Sequence, residues 1–159
     1  MLYHFLRKLY RDTSGVGFVE LALAAPLLAL LFLGMVDLSV IVATRIDLEQ
    51  AAQQTTDLAL AKRPTSTDTS YLVAEARNAS NRPASDIRVR LILECDGTQG
   101  YSFNSSCSPG QVQKRFVSVA IDQPVSTGFN WRNMGAMFSG TTVPYSPTTV
   151  TGDSIVRLQ

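Results

Sequence analysis

Between Val16 and Val36 the chain carries a single charged residue, Glu20, and from Leu21 to Val36 it carries none. About 21 residues of helix reach roughly 30 Å, the thickness of a hydrocarbon core, so the stretch reads as a transmembrane helix. Arg7, Lys8 and Arg11 precede it against Asp12 alone. That excess of positive charge keeps residues 1–15 in the cytoplasm and sends the C-terminus across. In a chain of 159 residues this leaves room for one small domain beyond the apolar stretch. With 45% hydrophobic and 17% charged residues and a net charge of +1, the chain is not disordered as a whole, and overall charge gives it no hold on nucleic acid.

Three kinds of N-terminal segment compete for this pattern. A secretory signal peptide needs small residues after its apolar core, whereas the best small-x-small match, Ala22-Leu23-Ala24, falls inside it. A plain signal anchor fits the length and flanks but leaves Glu20 without a purpose, since a deep carboxylate costs on the order of 2.5 to 3.5 kcal/mol. The third is a prepilin leader: a short basic segment ending in Gly, cut on the cytoplasmic side, with Glu at the fifth position of the mature helix. A cut after Gly15 makes Val16 first and Glu20 fifth. The new amine and the carboxylate are then related as i and i+4 on one helix face, and the carboxylate lies in the first turns, where the helix dipole favours negative charge. In a filament the same carboxylate can instead meet the amine of a neighbouring subunit.

Gly15-Val16-Gly17-Phe18-Val19-Glu20-Leu21-Ala22-Leu23, then Ala25-Pro26-Leu27-Leu28, Leu33-Gly34-Met35-Val36-Asp37 and Leu48-Glu49-Gln50-Ala51-Ala52 follow in order. This set resembles the N-terminal module of TadE-like pseudopilins, the minor pilins of the tight adherence (Flp, type IVb) pilus system. Leu21 stands where the family commonly has Phe, and Asp37 where it commonly has Glu. The resemblance covers roughly residues 12–60. It implies processing at Gly15, Val16 and Glu20, and assembly or helix packing through Glu20, Pro26, Gly34 and Asp37. It also implies a set of partners: a prepilin peptidase, other minor pilins, the major Flp pilin, the inner-membrane assembly platform and the lipid bilayer. The expected location is the bacterial inner membrane, single-pass, with a cytoplasmic N-terminus and a periplasmic C-terminal domain that can enter the pilus. Pro26, inside the helix, leaves the Ala22 carbonyl without its usual donor and supplies a point of bending.

Beyond Asp37 the helical period continues. Ile41, Leu48, Ala51, Ala52, Leu58 and Ala59 recur at helical spacing, while Arg45, Asp47, Glu49, Gln53 and Asp57 supply polar faces. Lys62 and Arg63 suit a helix C-terminus and Pro64 ends it, so one helix is expected over residues 16–63, transmembrane to about residue 36 and amphipathic after that. Its length is roughly 70 Å, about twice what a bilayer requires. Residues 64–159 are then an extracytoplasmic α+β head. Tyr71 to Asn81 reads as a short helix, and Ile87, Val89, Leu91 and Leu93 alternate as a half-buried strand. Val117, Val119 and Ile121 repeat that alternation and make its antiparallel partner.

Cys95 and Cys107 are the two cysteines. Hairpin ends bring such positions within disulfide range, and a bridge closing about 13 residues contributes roughly 3 kcal/mol in the loop-entropy model. An extracytoplasmic head favours a disulfide over two free thiols, and a metal site would need more ligands. From Thr127 onward, Trp131, Met134, Met137 and Phe138 offer bulk for a core or a contact, and Ser154 to Leu158 an edge strand with Ile155 inward. Arg88, Arg90, Lys114 and Arg115 make either a basic patch or, by preference, a solvated sheet face. The sole histidine, His4, lies in the leader, so no nucleophile and base pair can be nominated. The expectation is therefore a pilin-like α+β protein with a long N-terminal helix on a small antiparallel sheet, structural rather than catalytic and without cofactor or metal. The alternative is a single-pass envelope protein whose outer domain binds a ligand or an adhesive surface on a passive anchor.

Overall fold

Apolar residues at every helical position, followed by apolar residues on one face only, produce a single helix with two characters. In the computed structural model, which describes residues 16–140 and 147–158, α1 runs from Val16 to Ala61 with Pro26 inside it. The chain divides into two compact units between Ser39 and Val40. In the first, α1 is long and apolar enough to cross a membrane. The second is built around residues 40–61, whose Leu48, Ala51, Ala52, Thr55, Thr56 and Ala59 are buried.

Pro64 forces the chain out of helical geometry, and the open end of α1 is closed from outside: the Tyr71 hydroxyl donates to the Lys62 carbonyl at 2.9 Å. The Lys62 ammonium lies 4.9 Å from the Tyr71 ring centroid. Helix α2, Ser70–Ser80, buries Leu72 and Ala76 and ends on Asn81, in the left-handed conformation (φ 54°). There the Asn81 N–H donates to the Arg77 carbonyl at 2.9 Å, as at many helix C-termini. A 3-10 turn, Ala84–Asp86, then delivers the chain into the sheet.

The sheet comprises β1 (Ile87–Cys95), β2 (Thr98–Tyr101), β3 (Gln113–Val125) and β4 (Thr148–Arg157), all antiparallel and ordered β2-β1-β3-β4. Helix α3, Trp131–Ser139, lies between β3 and β4 in the chain, its N-terminus capped by the Asn130 side chain accepting from the Asn133 N–H. The central pair is the expected one: Val89 lies opposite Val119 and Leu91 opposite Val117. With α1 on its inner face, the sheet forms an α+β core in which Leu72, Leu93, Val117, Val119 and Ile121 have no exposed surface.

Helix and last strand meet closely. A Cβ at Gly152 would lie 2.4 Å from the Leu48 carbonyl carbon and Cβ, so only glycine lets β4 approach α1 at this point. One strand pitch further on, the Ser154 hydroxyl meets the Thr56 hydroxyl at 3.0 Å. Thr56 already donates to the Gln53 carbonyl, so Ser154 is the donor across the interface.

Ile155 does not point inward. Its side chain is 61% exposed, and the inward positions of β4 are Val150, Gly152, Ser154 and Val156. The close approach of α1 selects glycine and serine there and puts the larger Ile155 outside. Arg115 also leaves the expected outer cluster. It turns to the inner side near the start of β3, where its guanidinium donates to the Ser105 carbonyl (3.1 Å) and lies 5.5 Å from the Phe103 ring centroid.

Candidate functional site

The candidate site is the first half of α1. Glu20 is exposed one turn into the described helix, amid Phe18, Val19, Leu21 and Leu23, all more than half exposed. Leu27, Leu28, Leu31, Phe32 and Met35 carry the exposure all round the helix. A helix apolar on every side needs lipid or neighbouring helices around it. Gly15 lies outside the described residues, and so does the rest of 1–15.

The remaining sequence-predicted positions sit on the same helix. Val16 and Glu20 are one turn apart, as are Gly34 and Asp37. Pro26 and Asp37, eleven residues apart, return to about the same face at 100° per residue. The two carboxylates differ in setting: Glu20 is exposed, whereas Asp37 is only 7% exposed and has an interaction partner.

In the head, Cys95 and Cys107 form a disulfide with a Cα–Cα distance of 5.6 Å. It ties the end of β1 to the loop that follows β2. The β1–β2 turn is Asp96-Gly97, with φ 49° and 85°. Positive φ at both central residues is the type I′ hairpin geometry, and Asp-Gly was the signal by which β2 could have been found.

The outer face of the sheet is stitched by cross-strand ion pairs. Arg88 pairs with Asp122, which also accepts from the Thr151 hydroxyl at 2.7 Å. The Lys114 ammonium donates to Glu94 at 3.1 Å. That bond, a second from Gln99 and the Arg157 charge hold the Glu94 carboxyl below its usual range. Two of the four basic residues in the expected cluster are thus paired and Arg115 faces inward, which dissolves the patch.

Among the described residues no group of three or more His, Cys, Asp or Glu is placed to hold a metal ion. A groove of about 510 Å³ at the end of α2 is open, polar and lined by Arg77, Asn78, Asn81 and Arg82.

Residues 15–57 match the family model described as TadE-like protein. The N-terminal module is TadE-like. No curated protein and no solved structure matches the chain. The TadE-like segment takes in the whole apolar half of α1 and most of the half that packs on the sheet. The four strands, α2, α3 and the disulfide lie beyond the TadE-like match.

Proposed function

We propose that this chain is a minor pilin, or pseudopilin, with a structural part in assembling a Flp (tight adherence, type IVb) pilus. A prepilin peptidase cuts after Gly15 on the cytoplasmic side, Val16 becomes the first residue, and α1 remains in the inner membrane with the head in the periplasm. The observation that carries this reading is the coincidence of a TadE-like match beginning at residue 15 with an apolar helix in which Glu20 is the one charge before Asp37.

The physical account centres on that charge. A carboxylate alone in an apolar medium is costly, and an amine at i−4 or on an adjacent subunit neutralises it. The pair then fixes the axial register of one helix against another. Pro26 allows bending, and Gly34 lets a neighbouring helix approach. Other minor pilins, the major Flp pilin and the assembly platform are the partners this register serves.

The test is the mature N-terminus, read by Edman degradation or mass spectrometry from cells with an active prepilin peptidase. The expected chain starts at Val16. It has lost three positive side chains and one negative, so its net charge moves from +1 to −1. Replacing Gly15 by a bulky residue should block the cut and leave membrane insertion unchanged. A wild-type chain that keeps residues 1–15 would contradict the proposal and favour a passive anchor.

A further inference from the structure

The run Arg77-Asn78-Ala79-Ser80-Asn81-Arg82 holds an Arg-Asn pair and, three residues on, an Asn-Arg pair. All four of these side chains line one open groove of about 510 Å³ at the end of α2. At about 100° per residue, Arg77, Asn78 and Asn81 fall within roughly a third of the helix circumference. Asn81 then ends the helix in the left-handed conformation, Pro83 holds the exit extended, and Arg82 and Pro83 on that exit line the groove too. The frame is fixed on both sides. Leu72 and Ala76 are buried beneath α2, and the 3-10 turn that follows closes with the Asp86 N–H donating to the Pro83 carbonyl at 3.1 Å. Every residue of the groove belongs to the second compact unit.

The electrostatics of the groove are one-sided. Arg77 is exposed and has no ion pair among the described residues. Arg82 pairs with Asp86 at 2.5 Å through one terminal nitrogen, and its Nε is buried without an acceptor among the described residues. The nearby carboxylates are engaged, Asp86 by Arg82 and Ser85, and Glu75 by the Gln54 side chain at 3.0 Å. The described lining of the groove contains no acidic side chain. A helix C-terminus by itself repels an anion, but two of its carbonyls are covered here: Ala76 accepts from the Ser80 hydroxyl and Arg77 from the Asn81 N–H. The Asn78 and Asn81 carboxamides have no hydrogen-bond partner among the described residues, so each offers donors and an acceptor. Asn81 also lines a second groove, of about 370 Å³, which Asp47, Gln50 and Gln54 of α1 wall on the other side.

We propose that this groove binds an acidic glycan, with a uronic acid carboxylate on the arginines and the neighbouring sugar hydroxyls on Asn78 and Asn81. A guanidinium matches a carboxylate through charge-assisted hydrogen bonds, and a carboxamide both donates to and accepts from a hydroxyl. The second groove continues the same chemistry: Gln50 and Gln54 give further amides for the hydroxyls of a following sugar, and the Asp47 carboxylate keeps the acid group on the arginine side. A segment of an acidic protein fits less well. Protein partners anchor on aromatic or large aliphatic side chains in desolvated pockets, whereas the apolar residues lining the two grooves are Ala51, Ala74, Ala79 and Pro83.

The experiment uses the full chain in detergent micelles and reads the amide NMR shifts of residues 74–82. Trigalacturonate is the probe; galactotriose, acetate at equal carboxylate concentration and a capped Ala-Glu-Ala-Glu-Ala-Glu peptide are the references. Trigalacturonate should shift these amides saturably at millimolar concentration. Arg77→Gln removes a charge-assisted contact and should weaken binding about tenfold. Asn81→Gly keeps the left-handed turn, removes only the carboxamide and should weaken binding about threefold. Arg90→Gln takes an exposed cation from the outer face of the sheet and should leave binding unchanged. Should Arg77→Gln fail to fold, Asn81→Gly decides in its place. The absence of a saturable shift, equal binding of galactotriose, or an equal loss in Arg90→Gln would overturn the proposal, the last by reducing the attraction to net charge. Equal binding of acetate would overturn it by leaving a simple anion site, and equal or tighter binding of the peptide by making the occupant a protein. Removal or retention of residues 1–15 has no bearing on this result, so it stands apart from the pilin reading.

Discussion

Between residues 17 and 36 the apolar side chains of α1 face outward on every side, whereas between residues 40 and 61 they gather on the face that meets the sheet, with Val42, Ile46 and Leu60 left roughly half exposed. The backbone is the same uninterrupted helix in both stretches. What differs is where the matching surface comes from. The later stretch finds it within its own chain, at Gly152, Ser154 and the strands around them. The earlier stretch has to find it in lipid or in other proteins, and there a single exposed carboxylate can decide how neighbouring helices are set. The TadE-like match, residues 15–57, covers the first stretch and most of the second.

The contrast is broken most forcefully from the head. Gly152→Val places side-chain atoms where Leu48 already sits, and the packing of residues 40–61 on the sheet should weaken by about 3 kcal/mol or more, seen as a lower denaturation midpoint. Membrane insertion should be unaffected. The reciprocal change is an arginine in each stretch. Leu28→Arg should cost insertion about 3 kcal/mol, read as loss of the protein from the carbonate-resistant membrane fraction. Gln53→Arg, on the exposed face of the later stretch, should change head stability by no more than about 0.5 kcal/mol.

Much of this contrast is legible in the chain before folding, and the failures have physical causes. Periodicity places the end of α1, the span of α2 and the start of β1 within a residue or two and finds the middle of β3, which runs four residues further at each end than Val117–Ile121, because large apolar side chains mark the buried face in each. In β4 that marker fails: Gly152 and Ser154 face inward because the helix comes too close for anything larger, so the most apolar residue of the strand points out. Lys114 and Arg115 are adjacent in the chain and face opposite sides of the sheet. The TadE-like segment was legible in the order Gly15, Glu20, Pro26, Asp37, and Ser154 to Leu158 was legible as an edge strand, although β4 begins six residues earlier, at Thr148.

Two smaller effects belong to the head alone and sharpen the same comparison. Replacing both Cys95 and Cys107 by Ser should destabilise the head by about 2.5 kcal/mol, with processing and insertion intact. The Glu94 carboxyl is held below its unfolded value by Lys114, Gln99 and Arg157. Its contribution is therefore present above the ordinary carboxylate range, near about pH 4.3, and is lost as the pH falls through the lower folded value. An acid titration should show a slight loss of head stability in that window, and Glu94→Gln should reduce it, leaving the part due to Asp68 and Asp86, whose carboxyls are also held low.

The central claim is that Glu20 sets helix register in an assembly, and Glu20→Gln tests it most directly. Gln is nearly isosteric and lowers the burial cost, and in the proposed reading Gly15 and the basic leader carry peptidase recognition, so the variant should be cut and should remain in the membrane. What it loses is the charge that meets an N-terminal amine, and in a low-dielectric setting that loss leaves the amine uncompensated. The measurement is pilus formation scored beside the N-terminal mass of the membrane-resident chain. A processed, membrane-resident protein that no longer supports pili is the predicted result, and normal piliation with Gln at this position would contradict the account.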